Sequence, residues 1–126
     1  MMVQITAASL VAESRTLAMP ASIGSIPTDA NQEDFVPMGM AAAFKAVRIL
    51  TNAQRVVAAE LLCAAQGLEF LKPLAPGSGV AALYQRLRSL TPPVLPLTSD
   101  RPPGPDLERV ARAVADGELD PGRQLG

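Results

Sequence analysis

Apolar side chains recur at helical spacing along most of this chain, and prolines interrupt them in two places. From Met1 to about residue 19, Val3, Ala7, Leu10, Ser14 and Leu17 fall on one face, with Gln4, Glu13, Arg15 and Thr16 at polar positions. Pro20 ends that run, because the residue before a proline is pushed out of the helical region. The apolar pattern is already under way at Met1 with no capping residue ahead of it, so the first helix reads as one entered partway. A second pattern predicts a long helix over 39–70. Lys45, Arg48, Asn52, Arg55, Gln66 and Glu69 form one polar stripe, and Phe44, Val47, Leu50, Val57, Leu61 and Leu68 lie off it.

A turn from Lys72-Pro73 to Gly79 follows, with Ser78 as a possible cap for a third helix that carries Val80, Leu83, Tyr84 and Leu87 on one face. Residues 91–105 hold six prolines and predict an extended connector, wrapped over the surface or mobile. A last helix presents Leu107, Val110, Ala111 and Val114, with Gly117 as its stop and a frayed end over 120–126. No repeat and no strand pattern is present, so the fold class is all-α. About 30 residues at ~1.5 Å each make the long helix a rod of ~45 Å, whereas a compact globule of this length has a diameter of only ~36 Å. A rod that overhangs its own domain fits better as one stave of a larger bundle.

Composition narrows the function classes. Hydrophobic residues make up 48 % of the chain and aromatic residues 3 %, with no Trp, so Ala, Leu and Val must supply the buried surface through close helix packing. A mean hydropathy of +0.21 argues against wholesale disorder. Eleven basic and 12 acidic residues leave a net charge of −1, with no basic excess to attract nucleic acid. The absence of histidine excludes His acid–base chemistry and His-ligated metal within the chain, and no metal site is expected. Cys63 is the one cysteine, which fits a reducing compartment. Glu60 breaks the most apolar stretch, so no membrane span is expected, and the chain reads as soluble and cytoplasmic.

The chemistry is concentrated in residues 20–38, a loop longer than the ~12–15 residues at which structureless connections become uncommon and usually functional. Its informative run is Ser25-Ile26-Pro27-Thr28-Asp29-Ala30-Asn31-Gln32-Glu33-Asp34-Phe35-Val36-Pro37-Met38-Gly39. Asn31, Gln32, Glu33 and Asp34 stand just before the long helix, whose first N–H groups favour nearby negative charge. Two readings follow. Asp34 or Asn31 caps the helix and Glu33 favours its dipole, or Gln32 and Glu33 point into a cavity as hydrogen-bonding group and base.

Ser25-Ile26-Pro27-Thr28, then Ala30-Asn31-Gln32-Glu33-Asp34, Val36 and Met38-Gly39, resembles the active-site loop of the histidine ammonia-lyase family, relatives of the phenylalanine and tyrosine ammonia-lyases. Gln4-Ile5-Thr6-Ala7-Ala8 with Pro20-Ala21-Ser22 resembles the helix leading into that loop. Glu60 to Phe70 followed by Pro73-Leu74 resembles the family's next helix end, and Pro105-Asp106-Leu107-Glu108 its last helix. The similarity runs in order over about residues 1–118.

The resemblance implies the C-terminal part of a lyase. The organisation it implies is the end of a bundle helix at 1–19, an active-site loop at 20–38, a long bundle helix at 39–70, and C-terminal helices with a Pro-rich connector at 71–126. It implies elimination of ammonia from an aromatic amino acid, L-histidine to urocanate, by a methylidene-imidazolone made from Ala-Ser-Gly. That tripeptide is absent here, since Ala21-Ser22 is followed by Ile23, so the isolated chain is expected to be inactive. The partners implied are the N-terminal portion of the lyase and further subunits of a homotetramer. Glu33 and Gln32 are carried over as catalytic, and Glu33, Asn31 and Phe35 as substrate-binding. A buried carboxylate that accepts an imidazole N–H discriminates against rings lacking it. Phe35 stands where histidine-type relatives generally show His and Pro37 where they show Ser, which makes that wall more apolar and puts a helix-compatible ring in the first turn. The alternatives are a non-catalytic helical scaffold or pseudo-subunit, and an aminomutase of the same family.

Elsewhere the residues suggest structural roles. Gly77-Ser78-Gly79 reads as a loop with a cap, and Cys63 as a buried small hydrophobe. Tyr84 reads as packing, Glu60 as an arginine partner, and Lys45, Arg48 and Arg55 as a solvated or inter-subunit face.

Overall fold

The computed structural model describes residues 1–120, and the frayed end expected over 120–126 falls almost wholly outside them. Four α-helices are present: α1 (Met2–Leu17), α2 (Gly39–Phe70), α3 (Ser78–Arg88) and α4 (Gly104–Ala115). No strand occurs among the described residues, and the fold is all-α as the pattern predicts.

The half-buried positions of α1 include its whole predicted stripe, Val3, Ala7, Leu10, Ser14 and Leu17, together with Thr6 and Glu13, and this face lies on α2. The two helices run antiparallel: Glu13 meets Arg48 and Asn52, and Lys45 donates to the Met19 carbonyl. On α2 the buried positions are Asn52, Ala58, Ala59 and Ala65, with none before Asn52. Alanine at these places lets α4 approach closely and bury Leu107, Val110, Ala111 and Ala113. Leu87 of α3 and Leu90, Val94 and Leu119 complete this one cluster.

The polar stripe of α2 is the side turned toward the rest of the molecule. Arg48 pairs with Glu13 at 3.0 Å, Arg55 with Glu108 at 3.1 Å, and Glu69 with Arg88 at 3.3 Å. Lys45, Arg48 and Arg55 stay solvent-accessible, in keeping with the solvated face expected of them, while their charges are also used within the chain. In the first half of α2 the apolar positions off that stripe face outward, with Met40, Phe44, Val47 and Leu50 each at least 60 % exposed, whereas Leu61 packs against the core.

The Pro-rich connector is pinned rather than mobile. Gln66 accepts from the Leu97 N–H at 2.8 Å, Arg109 donates to the Thr91 carbonyl at 2.8 Å, and Val94 is fully buried. Pro105 belongs to the first turn of α4, where its missing N–H costs nothing. Gly117, at φ 70°, closes that helix with Glu118 N–H bonded to the Ala113 carbonyl, a left-handed stop that favours glycine.

Several local expectations are corrected. Ser78 is the first helical residue and makes no capping bond; Gly77 precedes it. Cys63 is exposed, at the edge of the groove between the start of α1 and the connector. Glu60 is exposed and forms no ion pair seen among the described residues. No helix among those residues is long and apolar enough to cross a membrane.

Candidate functional site

Residues 20–38 fold into two tight turns closed by hydrogen bonds. The first, a 3-10 turn at Ala21–Gly24, lies against α2. The second is built from the residues singled out in the sequence. Thr28 and Glu33 form a two-bond antiparallel bridge, with N···O distances of 2.8 Å and 3.2 Å, and the Gln32 N–H reaches the Asp29 carbonyl at 3.0 Å. Outside that bridge, the Ser25 hydroxyl oxygen accepts from the Val36 N–H at 2.9 Å and ties the two ends of the segment together.

Inside the bridge the backbone is strained. Asp29, Ala30 and Asn31 all lie in the left-handed region, at φ 51°, 53° and 69°, and none is glycine. Such a conformation costs on the order of 1–2 kcal/mol per residue, least for Asn and Asp. Three in succession persist only where the surroundings over-determine them, and such strain gathers at functional sites. Proline at 27 and the flanking hydrogen bonds supply that constraint.

Asn31, Gln32, Glu33, Asp34 and Phe35 are all exposed, so the turn projects them from the chain. Phe35 is 56 % exposed, an aromatic ring with no pocket of its own. The capping reading is overturned: the N-cap of α2 is Met38, at φ 55°, and no side chain caps the helix. Pro37 is likewise outside the first helical turn, two residues before Gly39, because the left-handed Met38 separates it from the helix. Asn31 and Asp34 are thereby left free for other partners, and the positive end of the α2 dipole opens toward the loop. The sequence marked Gln32 and Glu33 but not Ser25, whose bond to a residue eleven positions later has no local signature.

A groove of about 580 Å³ lies elsewhere, between the start of α1, the middle of α2 and the connector. Several of its polar groups are paired within the chain: Gln66 with Leu97, Arg88 with Glu69, and Arg101 with Asp106. The loop and this groove are separate features.

Comparison with known proteins matches this arrangement. The histidine ammonia-lyase of Symbiobacterium thermophilum is 50 % identical over 119 residues, which cover 94 % of this chain and 23 % of that protein. The histidine ammonia-lyase of Deinococcus radiodurans is 49 % identical, with 94 % and 22 % covered. The crystal structure of histidine ammonia-lyase from Trypanosoma cruzi superposes with a TM-score of 0.83 at 37 % identity, over 91 % of this chain and 22 % of that one. The chain thus spans about a quarter of the length of these relatives. A family model described as aromatic amino acid lyase matches residues 1–89, the stretch that holds α1, the strained loop, α2 and α3. With that family model over residues 1–89 and relatives about half identical over 94 % of its length, this chain belongs to the aromatic amino acid lyase family.

Proposed function

We propose that this chain is the C-terminal portion of a histidine-type ammonia-lyase and forms one wall of its active site. What supports the reading is that Gln32 and Glu33 are exposed on the closing arm of a strained, hydrogen-bonded turn and are not consumed by capping the helix behind them. In this role Glu33 accepts a hydrogen bond from the substrate's imidazole N–H once the rest of the enzyme closes over the loop and removes water. Dry surroundings strengthen that interaction and penalise a ring that cannot make it. Gln32 orients a neighbouring polar group through its amide, and Asn31 and Phe35 line the same wall, Phe35 against the apolar side of the ring.

Family members use a methylidene-imidazolone made from Ala-Ser-Gly as their electrophile. The residues present here do not fit it: Ala21-Ser22 runs into Ile23 inside a 3-10 turn. That group therefore comes from other polypeptide, together with the remaining walls of the site. The outward apolar stripe Met40, Phe44, Val47 and Leu50 supports covering by the N-terminal portion and further subunits of a homotetramer. The exposed free thiol of Cys63 supports the cytoplasm as the compartment.

The test is reconstitution with an Ala-Ser-Gly-bearing N-terminal portion. The isolated chain releases no ammonia from L-histidine, whereas the reconstituted protein forms urocanate. Glu33→Gln then lowers its turnover by about 100-fold or more, the cost of removing one preorganised polar group from an active site. Unchanged kinetics remove Glu33 from the mechanism, and turnover by the isolated chain refutes the need for a partner.

A further inference from the structure

The turn that carries Gln32 and Glu33 is held at three levels. At its tip, three consecutive non-glycine residues sit at positive φ, a conformation that the sequence Asp29-Ala30-Asn31 does not favour by itself. Around the tip runs the Thr28–Glu33 bridge, made of backbone atoms alone. Outside the bridge, Ser25 Oγ accepts the Val36 N–H at 2.9 Å, the one side-chain hydrogen bond seen across the loop among the described residues. The hydroxyl is half-buried, and Ser25 itself has extended backbone angles, φ −63° and ψ 139°, so it is unstrained. A strained tip releases its strain by opening, and opening is resisted by whatever holds the two ends together. Here the ends are Ser25 and Val36, and the tie is one oxygen atom.

We infer that Ser25 is a positioning residue: its hydroxyl latches the loop and sets the direction in which Gln32 and Glu33 are presented. The inference rests on the reading of Gln32 and Glu33 given above and adds a residue that touches no substrate. Serine suits the role because its short side chain reaches back to the main chain without adding bulk. Threonine keeps the oxygen and accepts extended backbone angles, whereas alanine removes the acceptor and leaves the Val36 N–H unpaired.

Two measurements test it. In the 126-residue chain, backbone amide exchange at Thr28, Glu33 and Val36 accelerates about tenfold or more in Ser25→Ala, while exchange in α2 and the melting temperature stay as in the parent, since the opening is local. Ser25→Thr restores the parent rates. In the reconstituted lyase, Ser25→Ala lowers kcat by about 10–100-fold with little change in KM, as expected when catalytic groups are misplaced by about 1 Å, and Ser25→Thr rescues it. Unchanged amide exchange in Ser25→Ala overturns the latch. Faster exchange with unchanged kcat, in an enzyme that Glu33→Gln does damage, overturns its positioning role alone. If Glu33→Gln leaves turnover intact, the site reading itself fails, and with it the functional half of this inference.

Discussion

Glu69 illustrates how much a single side chain can organise here. Its carboxylate takes a hydrogen bond from Lys72, another from the Tyr84 hydroxyl and an ion pair from Arg88. Arg88 in turn lies over the Tyr84 ring, 5.3 Å from its centroid, and donates to the Val94 carbonyl at 3.2 Å. The Lys72 and Tyr84 hydrogen bonds hold the Glu69 carboxyl below the usual carboxylate range, and Glu69 raises Lys72 above its ordinary value. A carboxyl depressed in the folded state contributes stability that is fully present above its unfolded value and is lost as pH falls through the folded value. The melting temperature of this chain is therefore expected to drop on acidification below the ordinary glutamate range. Glu69→Gln should flatten that part of the profile, and a variant whose acid limb matches the parent would show that Glu69 does not carry it. Glu13, depressed by its bonds to Asn52 and Arg48, adds to the same limb. Tyr84 packs against the core as read from the sequence, and its hydroxyl and ring also belong to this network, a role that needs partners from α2 and α3 at once.

At the scale of elements, α2 decides the architecture. Its fully buried residues are three alanines and one asparagine, so its packing depends on close approach. Asn52 shows what that approach demands: its amide nitrogen meets Glu13 Oε2 at 2.7 Å and Ser14 Oγ at 3.3 Å across the α1 interface. Ala58 is 0 % exposed and shares its cluster with Val110, also 0 % exposed. Replacing Ala58 with Leu adds volume where none is available and is expected to destabilise the chain by about 1–3 kcal/mol. A urea midpoint equal to that of the parent would show that α2 and α4 are not tightly packed there. The helix spans themselves were largely legible, because a long apolar period with Pro20 and Pro73 beyond its neighbours leaves few alternatives. The start of α2 at Gly39 was read correctly, but Pro37 was placed in its first turn, since nothing local indicates that Met38 adopts a left-handed conformation and sets Pro37 outside the helix.

For the whole molecule, the distribution of polarity around α2 is reversed relative to a surface helix of a self-contained domain. Charged positions face inward onto α1 and α4, and Met40, Phe44, Val47, Leu50 and Val57 face outward. An apolar stripe of this length is costly to leave in water. Phe44→Lys with Val47→Lys is expected to leave helicity and melting temperature nearly unchanged, as exposed substitutions do, and to lower the sedimenting mass or abolish association with an N-terminal portion of the lyase. If the double variant unfolds or associates like the parent, the stripe is not the contact surface.

By itself the sequence determined the all-α class and the extent of the long helix, because hydrophobic period and proline positions are local properties, and it marked Asn31-Gln32-Glu33 as the candidate site through the family resemblance. It also determined that α2 has one polar and one apolar side. Which side turns inward was decided by tertiary structure, since Glu13 and Glu108, the partners of Arg48 and Arg55, lie 35 and 53 positions away. The same holds for the strained turn and its Ser25 tie: left-handed φ at three non-glycine residues is unfavourable locally, and the Thr28–Glu33 backbone bridge with the Ser25 hydroxyl bond to Val36 keeps it.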